Sequence, residues 1–278
     1  MNIENRVKIT TSCNDCENLE RHPKSGQIET DESGNKYQYM FNGVKILYGT
    51  YHSPWMNDII KTLKGHHEPQ EELCFHYVLK TLGETANMIE LGANWSYYSI
   101  WFNKVIKTPS NICIEPILDN LINGKKNIEL NGCQNMESIH GYIGSTFERQ
   151  TNFKNWDGQI LKLDSYPLEK LINDTGKYYD VVHSDIQGGE LMVLETSKSV
   201  FDKIGYFVIS THDDKHNKCL KVLKENNFTI LIEHSIEESY SADGLIVAIN
   251  NTNKGKYEKN INSDLSVYFD TNCKITKK

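Results

Sequence analysis

The sequence lacks long apolar runs, an excess of positive charge and an apolar stretch near its amino end. No run of about 18 apolar residues occurs, so we expect no membrane-spanning helix. The chain has 30 lysines and arginines against 37 aspartates and glutamates, and the formal net charge of −7 predicts no nucleic-acid partner. Residues 1–6 carry charge without an apolar stretch behind it, which argues against a signal peptide.

Cysteine is also sparse. Seven cysteines, an odd number spread over predicted strands and helices, indicate reduced thiols and a cytoplasmic protein. Cys13 and Cys16 form one Cys-x-x-Cys pair, but the next cysteine is Cys74, so the second ligand pair of a zinc site is missing. A plain loop is therefore favoured over a metal site at this pair.

The segment from Asn87 to Ser99 is the most informative part of the chain. A short apolar run ends in Glu90, Gly92 then forms a turn, and an amphipathic segment follows. This order is typical of a buried strand that leads into a helix above a nucleotide-like ligand. A second apolar run ends in Glu115, where an acid can accept hydrogen bonds from both hydroxyls of a ribose. The two acids predict a cofactor that contains adenosine.

The glycines around Gly92 indicate which cofactor this is. A dinucleotide site needs Gly-x-Gly-x-x-Gly so that the backbone can approach a pyrophosphate. Here the three positions hold Gly92, Asn94 and Tyr97, so two of the glycines are missing. S-adenosylmethionine carries no phosphate, and one close-approach glycine with acidic strand ends is sufficient for it. The sequence therefore favours S-adenosylmethionine, and it disfavours a nicotinamide-dependent oxidoreductase on the same type of sheet.

The cofactor contacts are expected near the ends of the first three strands. Glu115 would bind the ribose, Ile117 or Leu118 would cover one face of adenine, and Tyr142 lies in a small segment that can admit the adenine edge. Glu72 could reach the amino group of the methionine moiety, although a solvated helix amino end explains this acid equally well. The predicted contact residues are Glu90, Gly92, Asn94, Glu115, Ile117, Tyr142 and Glu72.

Three segments resemble the signature segments of the FkbM family of S-adenosylmethionine-dependent methyltransferases. They are residues 90–94, residues 114–116 with 127–132, and residues 185–191 followed by Val193 and Leu194. The resemblance spans residues 68–250 and implies methyl transfer to a sugar hydroxyl of a glycan or nucleotide-activated sugar. The family usually has glycine where Ser96 stands, and lysine is common where His183 stands.

The apolar runs predict seven strands in a doubly wound α/β sheet. Only the short polar loop 235–243 joins the last two runs, so the seventh strand is expected to be antiparallel. Six parallel strands and an antiparallel seventh are also the sheet of a Rossmann-like class I methyltransferase. The predicted strands are residues 87–91, 111–115, 137–143, 179–185, 204–210, 228–234 and 244–250.

We divide the chain into an N-terminal extension over residues 1–67, a methyltransferase domain over 68–250 and a C-terminal tail over 251–278. The extension is expected to contain a β-hairpin with a type I′ turn at Asn42-Gly43, followed by a helix within 51–67. Pro69 suits the first turn of a helix that runs to about Leu82. The tail is predicted to be exposed, with one strand at 265–269.

Catalytic residues are expected beyond the carboxyl ends of the strands, where open parallel sheets bind their ligands. Asp185 lies at the tip of the fourth strand with His183 on the same face, and His212 ends the fifth strand. Because a histidine near neutral pKa suits the base in methyl transfer to oxygen, we predict His212 as the base and Asp185 as the group that orients either His212 or the acceptor. His183 is a further catalytic candidate, whereas His140 and His234 are expected to be structural.

Three questions stay open at this point. A sugar or nucleotide-sugar acceptor is expected, but a non-enzymatic protein that binds the cofactor or docks a partner would carry the same cofactor motifs. The oligomeric state is not indicated by the sequence. A divalent cation is also left open, with candidate ligands Asp185, His212, Asp213 and Asp243.

Overall fold

The chain alternates strands and helices around one mixed sheet. The structure, a computed structural model, describes residues 2–52, 54–155 and 157–278. Its strands are β1 (Ile28–Thr30), β2 (Lys36–Tyr39), β3 (Lys45–Leu47), β4 (Thr85–Leu91), β5 (Thr108–Glu115), β6 (Met136–His140), β7 (Tyr142–Ile143), β8 (Glu148–Lys154), β9 (Ile160–Tyr166), β10 (Tyr179–Ser184), β11 (Ile204–Thr211), β12 (Phe228–His234) and β13 (Gly244–Asn250). Its helices are α1 (Ile3–Thr11), α2 (Pro54–Thr62), α3 (Pro69–Thr81), α4 (Tyr97–Val105), α5 (Leu118–Leu130), α6 (Leu168–Thr175), α7 (Glu190–Thr196), α8 (His216–Glu225), α9 (Lys254–Ile261) and α10 (Leu265–Asn272).

The central sheet confirms the predicted topology. Its strand order is β12-β13-β11-β10-β4-β5-β6. The pairs from β11 to β6 are parallel, whereas β13 lies antiparallel between β11 and β12. The loop 235–243 is too short for a crossover connection, so β13 turns back beside β12. The result is a Rossmann-like sheet of the class I methyltransferase type, with six parallel strands and one antiparallel strand.

Both faces of this sheet are buried. Successive residues of β4 point to opposite faces, so Met88 packs with the N-terminal segment, α3, α4 and the last two helices, whereas Ile89 packs with α6, α7 and α8. This burial explains why the strands are nearly continuous apolar runs in the sequence. None of the described helices combines the length and the apolar content that a bilayer crossing requires.

The β2/β3 hairpin forms as predicted, but its turn is of another type. The φ angle of Gly43 is +81°, whereas Asn42 has no positive φ, and a type I′ turn needs a positive φ at both positions. The Phe41 N–H donates to the Gly65 carbonyl at 3.0 Å, and the Asn42 side chain donates to the Tyr97 hydroxyl at 3.2 Å. These tertiary contacts fix a turn that the dipeptide alone does not favour.

Residues 251–278 contradict the predicted exposed tail and the predicted strand at 265–269. They form α9 and α10, and the side chains of Tyr257, Leu265 and Phe269 are fully buried. Asp264 caps α10 by accepting a hydrogen bond from the Ser266 N–H. Leu265 and Phe269 are four residues apart, which is helical spacing, and the apolar residues between them concealed this period.

The predicted strand at 137–143 is divided at Gly141 into β6 and β7. Strand β7 leaves the central sheet and pairs with β9, which also pairs with β8 in a small separate sheet. A side chain at position 141 would clash, because a Cβ there would lie 2.8 Å from the Asp164 carbonyl oxygen. The sequence prediction missed this small sheet, together with α1 and β1.

A buried carboxylate joins the start of α3 to the chain before it. Glu72 is fully buried, and its two oxygens contact Nδ1 of His66 and Nδ1 of His67. Burial opposes ionisation of Glu72, but the two imidazoles outweigh burial and hold the pKa of Glu72 at about 2. Burial alone would lower the pKa of His67, but Glu68 and Glu72 raise it to about 10.

We predict that Glu72→Gln destabilises the fold by about 3–5 kcal/mol, because it leaves two buried imidazoles without their carboxylate. The stabilisation that Glu72 provides is complete above its unfolded pKa and is lost as the pH falls through about 2. The stabilisation from His67 is complete below pH 6.5 and is lost as the pH rises through about 10. Urea denaturation of both proteins should therefore show a difference that shrinks from pH 6.5 to pH 10.

The matched control is Glu84→Gln. The side chain of Glu84 is 77% exposed and pairs with Lys107 on the surface. Exposed ion pairs contribute about 0–1 kcal/mol, so this variant should unfold like the wild type. A loss of less than about 1 kcal/mol in Glu72→Gln would contradict the prediction.

Candidate active site

The turn after β4 brings three strand ends together at Gly92. Gly92 has a φ of +76°, and a Cβ at this position would lie 2.0 Å from the Asp185 carbonyl oxygen. The N–H groups of Gly92 and Ala93 both donate to the Ile114 carbonyl, at 3.0 and 2.9 Å. The turn therefore touches the ends of β5 and β10 at once, and only glycine leaves room for this approach.

The turn continues through two more residues with left-handed backbone. Asn94 has φ +46° and Ser96 has φ +62°. A Cβ at Gly124 would lie 2.6 Å from the Ser96 hydroxyl oxygen, so Gly124 on α5 provides the space for the serine. Ser96 is thus accommodated by a second glycine.

Glu115 lies at the tip of β5 and is 4% exposed. Its Oε2 accepts the Asn94 N–H at 2.8 Å, and its Oε1 accepts the Ile117 N–H at 2.8 Å. Burial raises the pKa of Glu115, and these backbone bonds oppose the rise. The Gly141 N–H donates to the Glu115 carbonyl at 3.3 Å, so the half-buried Tyr142 follows beside the same strand end.

The other two predicted acids of the cofactor site have different surroundings. Glu90 is buried at the end of β4, where its Oε2 accepts the Ser99 N–H at 3.0 Å, and burial raises its pKa to about 7. Glu72 does not reach this edge as a ligand. Both of its oxygens contact His66 and His67. Glu72 is therefore neither placed to bind a cofactor nor exposed to solvent at a helix end.

His183 is held by an acid that the sequence prediction did not select. His183 Nε2 lies 2.6 Å from Glu71 Oε1, and the Ser210 hydroxyl donates to Glu71 Oε2. The ring of His183 also lies against Tyr98, with centroids 4.2 Å apart. Burial would lower the pKa of His183, but Glu71 raises it. In a sequence, an acid in the first turn of a helix is explained by its favourable interaction with the helix dipole. The contacts of Glu71 with His183 and Ser210 arise only when α3 packs on the sheet.

His212 is surrounded by carboxylates from three elements. Its Nδ1 lies 2.9 Å from Glu190 Oε1, and its Nε2 lies 3.1 Å from Asp243 Oδ1 and 3.5 Å from Asp185 Oδ1. The two contacts of Nε2 lack hydrogen-bond geometry. The structure therefore brings together the predicted His212 and Asp185 and adds Glu190 and Asp243.

The charges in this group determine its protonation. Burial would lower the pKa of His212, but Asp243, Glu190 and Asp185 raise it to about 11. Burial and the nearby Asp243 raise the pKa of Asp185 to about 8, whereas His212 acts to lower it. Solvent reaches 29% of the Asp185 side chain, which moderates the effect of burial and leaves this carboxyl accessible to a ligand.

The N-terminal helix α1 also reaches this edge. An Arg6 guanidinium nitrogen lies 3.6 Å from Glu68 Oε1 and 3.8 Å from Asp243 Oδ2, and the guanidinium faces the Trp55 ring at 5.4 Å. Tyr51 is stacked on Trp95, with centroids 3.9 Å apart. The polar sequence of α1 gives no sign of this contribution.

The remaining histidines lie outside the group. His140 Nε2 is 3.1 Å from the Pro116 carbonyl, and His234 Nδ1 is 3.4 Å from the Gln70 side chain. Asp213 pairs with Lys215 at 3.2 Å. Within residues 2–52, 54–155 and 157–278, no group of three or more His, Cys, Asp or Glu side chains has the geometry of a metal site. Cys13 and Cys16 are buried free thiols.

A surface groove of about 610 Å³ lies at the opposite edge of the sheet. It is lined by the amino ends of β5, β6 and β10, including Pro109, Glu137 and Tyr179. The carboxyl edge instead contains buried polar atoms without a partner among the described residues. They include His183 Nδ1, Ser184 Oγ, Glu190 Oε2 and His212 Nε2. These four atoms are polar groups of the carboxyl edge that a ligand could satisfy.

No protein-family model matches this chain, and no curated protein matches it. Among solved structures, M. capricolum TrmK in complex with S-adenosyl-homocysteine is 20% identical, with a TM-score of 0.45 over 64% of this chain and 68% of that one. The B. subtilis M1A22 tRNA methyltransferase TrmK is 13% identical, with a TM-score of 0.42 over 73% and 69%. An rRNA methylase from Streptococcus thermophilus is 11% identical, with a TM-score of 0.46 over 64% and 94%. Likenesses of this strength do not identify an acceptor for this chain.

The expectation that excludes a nucleic-acid partner is wrong. By their names, two of these similar structures are tRNA and rRNA methyltransferases. The net charge of −7 is a sum over the whole chain, and it does not exclude a local surface that binds phosphate. An RNA acceptor therefore belongs in any test of function.

We predict that Gly124→Ala destabilises the protein by about 1–3 kcal/mol, the usual cost of overpacking, because its Cβ would overlap the Ser96 hydroxyl. Ser96→Gly in the same chain should recover most of the loss, since it removes the hydroxyl and suits the left-handed backbone. Thermal unfolding of the two single variants and the double variant measures this coupling.

Gly83→Ala is the control, because a Cβ at Gly83 meets no atom within 4 Å. It should leave the unfolding temperature nearly unchanged. If the losses of Gly124→Ala and Ser96→Gly simply add, the contact between the two residues does not limit this turn.

Proposed function

We propose that this chain is an S-adenosylmethionine-dependent methyltransferase of the FkbM type that methylates a hydroxyl group of a sugar. The observation that carries the proposal is the group of Asp185, His212 and Asp243 beside the Gly92 turn, at the carboxyl edge of the sheet. Open α/β sheets bind their ligands at this edge.

The residues at the first strand ends fit the cofactor. Glu115 Oε1 accepts hydrogen bonds from the Ile117 N–H and the Asn120 side chain, whereas Oε2 accepts one backbone N–H and keeps a lone pair for a ribose hydroxyl. Glu90 can accept from the ammonium of the methionine moiety, and Ile117 and Tyr142 are near enough to Glu115 to border adenine. When bound, S-adenosylmethionine supplies an electrophilic methyl group.

The charges around Asp185 support a neutral, hydroxyl-rich acceptor. Glu68, Asp185 and Asp243 offer carboxylate oxygens that accept hydrogen bonds from hydroxyl groups, and His212 and Arg6 balance part of their charge. A sugar presents several such donors on one ring. Trp55, beside Arg6, adds an aromatic ring at the same rim.

We assign the base to Asp185 and a supporting role to His212. With a pKa of about 11, His212 remains an imidazolium at neutral pH and has no lone pair for a proton. Asp185 has a pKa of about 8, which is close to the pH at which a base works best, and its carboxyl is accessible. In this proposal, His212 is fixed by Glu190 and orients Asp185 toward the acceptor hydroxyl, and Asp185 then takes the proton.

Glu115→Gln tests the cofactor part of the proposal. The variant keeps one carbonyl oxygen but loses the charge, so S-adenosylhomocysteine should bind about tenfold more weakly, the effect of losing about 1.5 kcal/mol of charge-assisted hydrogen bonding. Isothermal calorimetry measures the change. Glu129→Ala, an exposed acid on α5, should bind like the wild type, and NAD should not bind to any of these proteins. Tight NAD binding would overturn the cofactor assignment.

Asp185→Asn tests the base. Turnover should fall by a factor of about 10²–10⁴, while the affinity for S-adenosylhomocysteine stays nearly unchanged. In the wild type, the reaction should become faster as the pH rises from 6 to about 8 and then level off, because only the ionised carboxyl accepts a proton. The assay measures transfer of labelled methyl from S-adenosylmethionine to monosaccharides, nucleotide sugars, tRNA and rRNA.

The outcomes of this assay separate the parts of the proposal. Labelled RNA without labelled sugar would retain the methyltransferase and reject the sugar. Cofactor binding without transfer to any acceptor would favour a protein that binds the cofactor without catalysis. A pH profile that falls above pH 7 would contradict Asp185 as the base.

A further inference from the structure

Glu71 connects the two strands that carry the proposed catalytic pair. It lies in the first turn of α3 and is 8% exposed. Its Oε1 is 2.6 Å from His183 Nε2 on β10, and its Oε2 accepts the Ser210 hydroxyl on β11. Both partners are 2% exposed, so a single carboxylate bridges two adjacent strands inside the protein.

The two partners lie directly before the strand ends. Ser184 pairs with Ile209 in the parallel register of β10 and β11, so Asp185 is the next residue on one strand and Ser210 is the next on the other. His212 follows Ser210 by two residues with extended backbone, which directs both side chains to the same face. Glu71 therefore contacts each strand within two residues of Asp185 or His212.

The contacts of Asp185 depend on this spacing. Asp185 Oδ1 and His212 Nε2 are 3.5 Å apart, and a shift of one strand end by about 1 Å would separate them or force them together. A cavity of about 20 Å³ lies beside the bridge and is lined by Glu68, Glu71, Ser210 and Asp243 among others. This space holds about one water molecule, so the bridge has room on one side for small movements.

We propose that Glu71 is a positioning residue, which sets the distance between Asp185 and His212 by bridging His183 and Ser210. The inference rests on the proposed function for its catalytic meaning. Its structural part, the coupling of Glu71 to the protonation of Asp185, is independent of any acceptor.

The charge of Glu71 also acts on Asp185. The charged groups that face Asp185 come from every element around it. They are Arg6 from α1, Tyr51 from the segment before α2, Glu68 and Glu71 from the start of α3, His183 from β10, His212 from the end of β11 and Asp243 from the loop before β13. The acids among them raise the pKa of Asp185, so removal of the Glu71 charge should lower it.

Glu71→Gln is the test, with Ser210→Ala as the matched variant that weakens the same bridge without a change of charge. The titration of Asp185 is followed by NMR of protein labelled at the aspartate carboxyl carbon, and Asp185→Asn assigns its signal. We expect a lower midpoint in Glu71→Gln, which loses a nearby negative charge, and a higher midpoint in Ser210→Ala, because a looser bridge lets His212 move away from Asp185. Turnover at high pH should fall about tenfold in Glu71→Gln and several-fold in Ser210→Ala.

The results distinguish this inference from the proposed function. If the wild type transfers no methyl group, the NMR midpoints still test the coupling. A wild-type midpoint in Glu71→Gln overturns the inference, even if turnover falls, because a purely structural residue would give that result. If Glu71→Gln does not fold, wild-type turnover in Ser210→Ala overturns the positioning role.

Discussion

The concentration of buried carboxylates at one edge of the sheet is the constraint on which the rest of the structure depends. Glu71, Glu72 and Glu190 are nearly inaccessible to water, and an isolated ionised carboxylate in such a place is strongly unfavourable. Each is paired with imidazole. His66 and His67 hold Glu72, His183 holds Glu71, and His212 holds Glu190. Four of the ten histidines of this chain therefore act as partners for buried acids.

This pairing changes which residue can perform proton transfer. An imidazole between carboxylates remains charged, as His212 does, and its proton is not available for exchange near neutral pH. Asp185 is close to one imidazolium but also to several other acids. Burial and these acids together raise the pKa of Asp185 toward neutral pH. In the proposed reaction, the same electrostatic balance disfavours the histidine as the base and favours the aspartate.

The N-terminal segment takes part in the site through packing. Arg6 on α1 lies between Glu68 and Asp243, and the hairpin residues Phe41 and Ile46 belong to the core on the same face of the sheet as α3. Helix α10 completes this face with Leu265 and Phe269. The N-terminal segment and α10 therefore pack on the same face of the sheet as α3. This packing helps to hold α3, and with it Glu71, against the strand ends.

The sequence by itself determined the sheet and the residues at the ends of its first two parallel strands. Continuous apolar runs specify buried parallel strands, the short loop 235–243 specifies the antiparallel β13, and Gly92 and Glu115 follow directly from local rules for turns and strand ends. Only the tertiary structure decided the turn at Asn42-Gly43, the two C-terminal helices and the partners of His183 and His212. Glu71, Glu190, Asp243 and Arg6 come from four separate parts of the chain. Their contacts arise from the packing of elements that are far apart in sequence. A local sequence pattern does not determine the distances between such elements.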